Sequence, residues 1–556
     1  MKRTIGIIAP LIDRHQVHPD FMLRLRVNDR ELTLAALYEL VSKGYIPEQV
    51  SRSYNYGEII PSAGYYLEGL VHQYGYETIL TNKYDEETLK TMANKDPFAV
   101  LVSTTMIVLT HSLLELFSSI RNAMPDTYII AGGVLVWKNY LLYMDHLREP
   151  NKFPLHPELL FHPNHIGMDA DILIVAPHGK SSLLGVLESL EKGRSSSFEQ
   201  IPNLAIPEKN GFLFTKREDE QVDYNEDYTR WDLLNEMPDK IPLRTSIGCP
   251  YRCNFCDFYR LFPNVFIRSP KSLSLELKLV KEKLGRTPGI IHVSDDNVFI
   301  NKKRVQEVCT AIIESGIKNW IGFMRGGEYS EDEMNLMVRS GLMLGLIGVE
   351  SGDPGQLERM NKHQDIEKVK RGVEQFDAHG ISTLMTFVVG FPGENQQTLD
   401  NTINFMNSLS LTNLVASYRL FTLFVEPLSQ LNDPSLRAKW NLEGSLGKWS
   451  HYTMNSDMLM LASYTLFKGI TDVPYHYDEE SNFFNRAKFR YPVRKLLLQM
   501  RQQLTVKLIE NAPWEQIDPI FRNMAQQMNL PVGRIGESLR QEISVPSISR
   551  IYDETK

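Results

Sequence analysis

Short apolar runs alternating with amphipathic stretches fill the first third of the chain. Thr4–Pro10, Glu77–Thr81, Phe98–Ser103, Tyr128–Ala131 and Asp171–Ala176 have the length and composition of strands. The stretches 62–74, 85–94, 112–124 and 181–192 repeat apolar residues at helical spacing. Strands alternating with helices predict a doubly wound parallel sheet over residues 1–192, a Rossmann-like domain. Ligands of such a sheet bind beyond the carboxyl ends of its strands. Those ends carry Ser103, Thr104 and Thr105 after one strand and Gly132 and Gly133 after the next, hydroxyls and bare amides suited to a phosphate or amide-rich ligand.

From 193 to 239 the pattern breaks into Gly, Ser, Asn and acidic residues. A hairpin is expected at Asn203–Pro207 and Phe212–Thr215 around the Asn210-Gly211 turn, inside an otherwise solvated linker. The alternation resumes over 240–430, with strands expected at Leu243–Ser246, Ile290–Ser294, Trp320–Met324, Leu344–Val349, Ser382–Val389 and Ser417–Phe424. Six such units suit a partial parallel (β/α)6 barrel, whose working residues gather at the carboxyl ends of its strands. Beyond 431 the chain reads as a mostly helical domain to 556. There Val493, Leu497, Met500, Leu504 and Leu508 share one helical face.

Composition narrows the function. The 556 residues carry 60 basic and 68 acidic side chains, a net charge of −8, which argues against nucleic-acid or anionic-membrane binding. The least polar stretch, Pro97 to Leu114, is interrupted by Ser103-Thr104-Thr105 and reads as strand then helix, so no membrane span is expected. The opening Met1-Lys2-Arg3 and the apolar run after it read as a first strand rather than a leader. Four cysteines offer no disulfide framework, which fits a cytoplasmic location.

Three of those cysteines, Cys249, Cys253 and Cys256, follow directly on the first barrel strand. Spacings of three residues and then two let one loop turn three thiolates toward a common body, and Gly248 and Pro250 keep that loop out of helix. A structural zinc site needs four protein ligands, and Cys309 lies more than fifty residues on within an apolar helical pattern. Three thiolates on a four-iron cluster leave one iron open to a small chelating molecule.

The pattern Cys-x3-Cys-x2-Cys, with Phe255 before the third cysteine, resembles the radical S-adenosylmethionine (radical SAM) superfamily. The resemblance implies a [4Fe-4S] cluster on the three cysteines and SAM chelated at the open iron. Reductive cleavage would then yield a 5′-deoxyadenosyl radical. It also assigns a SAM site: Phe255 beside the cluster, Asp295 and Asp296 toward the amino group, Arg325 toward a carboxylate, Glu350 and Ser351 toward the ribose, and Gly390 and Gly393 in an adenine-contacting turn. The usual Gly-Gly-Glu of the amino-group site is absent, and Asp295-Asp296-Asn297 stands in its place.

The domain order and the sequence Pro61-Ser-Ala-Gly-Tyr-Tyr, then Ser-Thr-Thr, then Ala131-Gly132-Gly133, resemble the cobalamin-binding domain that precedes many radical SAM cores. Ser103, Thr104, Thr105, Gly132 and Gly133 would then contact cobalamin. Related cobalamin domains supply an axial histidine from Asp-x-His-x-x-Gly. Here Asp13-Arg14-His15 matches, but His18 replaces the glycine, so His15 is a candidate axial ligand in what otherwise reads as a solvated loop.

The resemblance therefore implies a cobalamin-dependent methyltransferase. One SAM would methylate cobalt, and a second would give the radical that activates an unactivated carbon, or less often phosphorus, centre of a small-molecule or natural-product substrate. A flavodoxin or ferredoxin-type donor would supply the electron. No catalytic side chain is singled out beyond these contacts. Two alternatives stay open: a radical SAM enzyme with a vestigial cobalamin domain that rearranges, dehydrogenates or forms bonds, and an iron–sulfur redox or cofactor-sensing module.

Overall fold

The computed structural model describes residues 3–11, 26–27, 30–31, 33–43, 60–193, 195–413, 416–477, 490–530 and 543–544. The first strand is β1 (Thr4–Ile8), followed by two short paired strands, β2 (Arg26–Val27) and β3 (Arg30–Glu31), and helix α1 (Leu34–Lys43). The doubly wound unit continues with α2 (Ser62–Gln73), β4 (Glu77–Thr81), α3 (Glu86–Ala93), β5 (Ala99–Ser103), α4 (Thr110–Ala123), β6 (Tyr128–Gly132), α5 (Val134–Arg148), β7 (Ile172–Ile174) and α6 (Lys180–Glu191). Its sheet runs β4-β1-β5-β6-β7, all parallel. The switch point lies between β1 and β5, so the crevice opens at the ends of those strands, where Ser103–Thr105 stands.

Period two explains why this sheet is covered on both faces. Ile8, Val100, Val102, Ile129 and Leu173 point into one apolar core, while Ile5, Ile7, Leu101, Ile130 and Ile172 point into another on the opposite face. The expected hairpin, β8 (Leu204–Glu208) and β9 (Gly211–Phe214), is not part of a free linker. It adds to β7 as an antiparallel edge, because Leu204 and Ala205 are apolar and bury fully, one into the core on each face of the sheet.

The second sheet is parallel and in chain order: β10 (Lys240–Leu243), β13 (Ile290–Val293), β14 (Trp320–Arg325), β15 (Leu342–Glu350), β16 (Ser382–Val389) and β17 (Ala416–Thr422). Its first strand corrects the sequence reading. The strand ends at Leu243, and Ser246–Ile247 (β11) instead pairs antiparallel with Phe266–Ile267 (β12). The cause is Asp295, which draws the Thr245 amide, the Thr245 hydroxyl and the Ser246 hydroxyl to itself at 2.7, 2.5 and 2.7 Å and turns the chain out of the sheet.

The helical tail shares the barrel core. Trp440, Trp449, Tyr464, Phe467 and Tyr475 pack with the barrel strands and their helices. Further on, Leu497, Met500 and Leu504 of the expected stripe meet Phe521 and, from α1, Leu34 and Ala36. Among the described residues no helix is long and apolar enough to cross a membrane.

Candidate active site

The cysteine loop leaves β11 and ends in a short helix, α7 (Phe258–Leu261). Cys253 is buried, and Cys249 and Cys256 are half-buried. The Cys256 amide donates to the Cys253 carbonyl at 3.0 Å, which curls the second half of the loop. Neighbouring segments hold it from outside. The Asn254 amide donates to the Met360 carbonyl at 2.9 Å, its side chain donates to Arg359 at 2.8 Å, and Asn361 donates to the Arg252 carbonyl at 2.7 Å. The loop is thus held in place by hydrogen bonds from the protein itself.

The donor set fits a cluster rather than a single ion. Burial pushes the Cys249 and Cys256 thiols up, and each of the three sulfurs lies within electrostatic reach of the others. A bound iron would displace those protons, as metals do from coordinating thiols. Among the described residues no three His, Cys, Asp or Glu side chains converge tightly enough to hold one metal ion. Cys309 cannot serve as a fourth ligand, since it is fully buried in the helix Lys302–Ser315 beside Ser340. Three thiols carried on one loop match a four-iron cluster that keeps one iron open.

Of the expected SAM residues, some gather at this loop and others are committed elsewhere. Phe255 meets Phe391, inside the Gly390–Gly393 turn, edge to face at 6.5 Å. Arg325, at the end of β14, stacks on Tyr251 at 3.7 Å and reaches to 3.9 Å from the Cys253 sulfur. It also donates to the Lys362 carbonyl, and Glu328 pairs with Arg371 instead of with it. Asp296 lies near the loop. Burial pushes its carboxyl up to about 6, with Arg244 pulling down and Asp295 pushing up.

Asp295, in contrast, is the brace described above and offers no open oxygen to an amino group. Glu350 pairs with Lys362 at 2.7 Å, both largely buried. Ser351 accepts from the Asp353 amide at 3.1 Å and faces the Thr402 hydroxyl at 3.4 Å, so it fastens a turn. The turn glycines answer to protein packing. A Cβ at Gly390 would run into Leu459 and, at 2.9 Å, into Trp449, and one at Gly393 into Arg359. Glu394 accepts from the Gly390 amide, and its burial pushes the carboxyl up to about 7.

At the N-terminal sheet the strand ends form one knot. The Thr104 amide and hydroxyl donate to the Gly132 carbonyl at 2.8 and 3.0 Å. Gly133 has φ +116°, and a Cβ there would sit 3.1 Å from the Thr104 and Thr105 amides. Ser103, Thr104, Thr105, Gly132 and Gly133 are therefore together, with Thr104 fully buried and Thr105 the more open hydroxyl. His15 lies outside the described residues.

The sequence singled out none of the groups that join the two sheets. Trp137 of α5 donates its indole N–H to the Leu261 carbonyl at 3.1 Å. Arg260 pairs with Asp145 at 2.7 Å. Lys138 sits between Asp257 and Glu426. His178, after β7, meets the Tyr224 hydroxyl. Only Asp257, next to Cys256, carried a local hint, because its partners are distant in the chain.

The comparisons with known proteins agree with this geometry. Residues 243–406 match the model of the radical SAM superfamily. The anaerobic magnesium-protoporphyrin IX monomethyl ester cyclase of Rubrivivax gelatinosus is 23% identical over 358 residues, 61% of this chain and 60% of its own length. The chain thus spans less than two thirds of that relative. Among solved structures, the cobalamin-dependent SAM radical enzyme OxsB with aqua-cobalamin bound superposes with a TM-score of 0.54 at 13% identity, covering 99% of this chain and 83% of its own. The radical SAM methyltransferase TsrM of Kitasatospora setae gives 0.51 at 15%, covering 78% and 75%. Residues 243–406 thus form a radical SAM domain, and the chain as a whole shares the fold of the cobalamin-dependent radical SAM enzymes it superposes on.

Proposed function

We propose that the chain is a cobalamin-dependent radical SAM methyltransferase acting on an unactivated carbon, or less commonly phosphorus, centre of a small molecule. One observation carries this reading. The helix that starts at Gly133, in the strand-end knot suited to cobalamin, runs directly to the segment after Cys256, with Trp137 on Leu261 and Lys138 on Asp257. TsrM and OxsB, whose fold the chain shares, are named as a methyltransferase and as a cobalamin-dependent enzyme. When bound, the cluster supplies the electron that splits SAM and cobalamin supplies the methyl carrier.

The chain's own part is binding, orientation and exclusion of water. Cys249, Cys253 and Cys256 would hold three irons. Arg325 would steer the SAM carboxylate beside Cys253, Asp296 would accept from its amino group, and Phe255 with the Gly390–Gly393 turn would flank the nucleoside. Ser103, Thr105 and the Gly132–Gly133 backbone would face cobalamin. Trp440 and Trp449 wall the turn from behind, keeping solvent from a radical that would attack almost any C–H bond. The electron would come from a flavodoxin or ferredoxin-type donor.

A second reading rests on Thr104, whose amide and hydroxyl are both satisfied by Gly132. A knot complete in itself suits a radical SAM enzyme whose N-terminal sheet no longer takes cobalamin. Anaerobic reconstitution separates the two. About four irons and four sulfides per chain, a retained corrinoid absorbance and methylated product with labelled SAM support the methyltransferase. Deoxyadenosine without corrinoid retention supports the second reading, and a cluster that never cleaves SAM defeats both.

A further inference from the structure

The ion triad between the two sheets sits immediately beside the cluster loop. The Lys138 ammonium lies 2.7 Å from an Asp257 oxygen and 2.6 Å from a Glu426 oxygen. The three side chains are 14, 8 and 24% exposed. Asp257 is the residue after Cys256, Glu426 follows β17, and Lys138 reaches in from the N-terminal sheet's own helix α5. Burial alone would pull the Lys138 ammonium toward neutrality, but attraction to Glu426 and Asp257 outweighs it and raises its pKa, so it stays charged.

Burial pushes the Glu426 carboxyl up, the Lys138 ammonium pulls it back down and Asp257 adds to the push; with both carboxylates ionised around the ammonium the triad carries a net charge of −1. A charge so placed has weak solvent screening and acts through a low effective dielectric. A one-electron reduction of a [4Fe-4S] cluster adds one negative charge to the loop and forms or breaks no bond. Its equilibrium therefore responds to fixed charge nearby, as iron–sulfur potentials respond to net charge and surroundings. Removing Lys138 would leave the buried Asp257 and the half-buried Glu426 carboxylates without their cation beside the cluster loop, opposing that electron. Removing Glu426 would do the reverse.

The geometry points to Lys138 as a positioning residue by which the N-terminal domain sets the reduction potential of the barrel's cluster. This rests on the reading that Cys249, Cys253 and Cys256 hold a [4Fe-4S] cluster. It adds that the cluster acquires its working potential only with α5 docked, since the cation belongs to the other sheet. Arg260–Asp145 and Trp137–Leu261 fix α5 on either side of the triad, so the ammonium is held in place by the whole interface.

The test is an EPR-monitored redox titration of the reconstituted full-length chain, without SAM or substrate, using dithionite as the electron source. K138M is expected to move the midpoint potential negative by at least a tenfold change in the reduction equilibrium, about 59 mV for one electron. E426Q moves it positive, and both K138R and the K138M/E426Q double variant return it to the wild-type value. Because E426Q keeps the Lys138–Asp257 pair, the idea remains testable if K138M fails to load a cluster. Potentials that ignore the triad's charge overturn the inference while leaving the cluster assignment intact. A wild-type chain that binds no cluster defeats the assignment itself.

Discussion

The two parallel sheets follow the same folding rules and end in opposite kinds of surface. At the carboxyl edge of the N-terminal sheet the side chains are small and their polar groups answer one another, as Thr104 does Gly132. What remains on display is backbone and the Thr105 hydroxyl. At the corresponding edge of the barrel the side chains are thiols, carboxylates and guanidinium groups, among them three cysteines, Asp296 and Arg325. The first edge is shaped for a broad ligand that needs close approach, the second for chemistry that needs charge and sulfur. On the proposed function cobalamin and the cluster would use those two surfaces side by side, and α5 joins them.

Substitutions can break the contrast from either side. Cys253→Ala should have the largest effect, removing one of the loop's three thiols, that of its buried cysteine. Iron and sulfide content after reconstitution should collapse and deoxyadenosine formation should vanish, while corrinoid retention survives. Gly133→Val should do the converse. Its φ of +116° is one that a β-branched residue adopts only under strain, and the new side chain would press on the Thr104–Thr105 loop. Corrinoid retention should fall at least tenfold with cluster loading near wild type. Loss of both in either variant would show that the two edges are not separable.

Smaller effects sharpen the barrel side. Asp295→Ala strips three hydrogen bonds from the segment before the cysteine loop and should cost roughly 2–4 kcal/mol in denaturant unfolding, by removal of a buried charged acceptor. Partial iron loading should accompany it. Glu394 gives the subtlest signal. Its carboxyl rises from 4.5 to about 7 on folding through burial, so the native state binds the proton more tightly than the unfolded chain. Its contribution is full below pH 4.5 and is lost as pH rises through about 7, on the order of 3 kcal/mol in all. Urea midpoints at pH 5.5 and 8 should therefore differ less in Glu394→Gln than in wild type. An unchanged difference would place the titration elsewhere.

The contrast also marks where sequence reading succeeds. Strand and helix alternation is local, so both parallel sheets could be read from apolar spacing. The cysteine loop stands out as plainly, since its three cysteines lie within eight residues. What the sequence left unread depended on distant partners. Asp295 looks like a ligand carboxylate until Thr245 and Ser246 are seen to use it, and Ser351 looks like a ribose contact until Thr402 stands behind it. The hairpin at Asn210-Gly211 was visible as a hairpin, but nothing local said that it would edge the sheet. Lys138 and Glu426 are separated by 288 positions, and neither has a local signature.

The account turns on whether the three thiols hold an iron cluster with a vacancy for SAM. The direct measurement is the EPR spectrum of the anaerobically reconstituted and reduced chain, recorded with and without SAM. A reduced four-iron signal whose shape changes when SAM is added is the predicted result. A zinc-loaded protein, or a cluster signal indifferent to SAM, would contradict it.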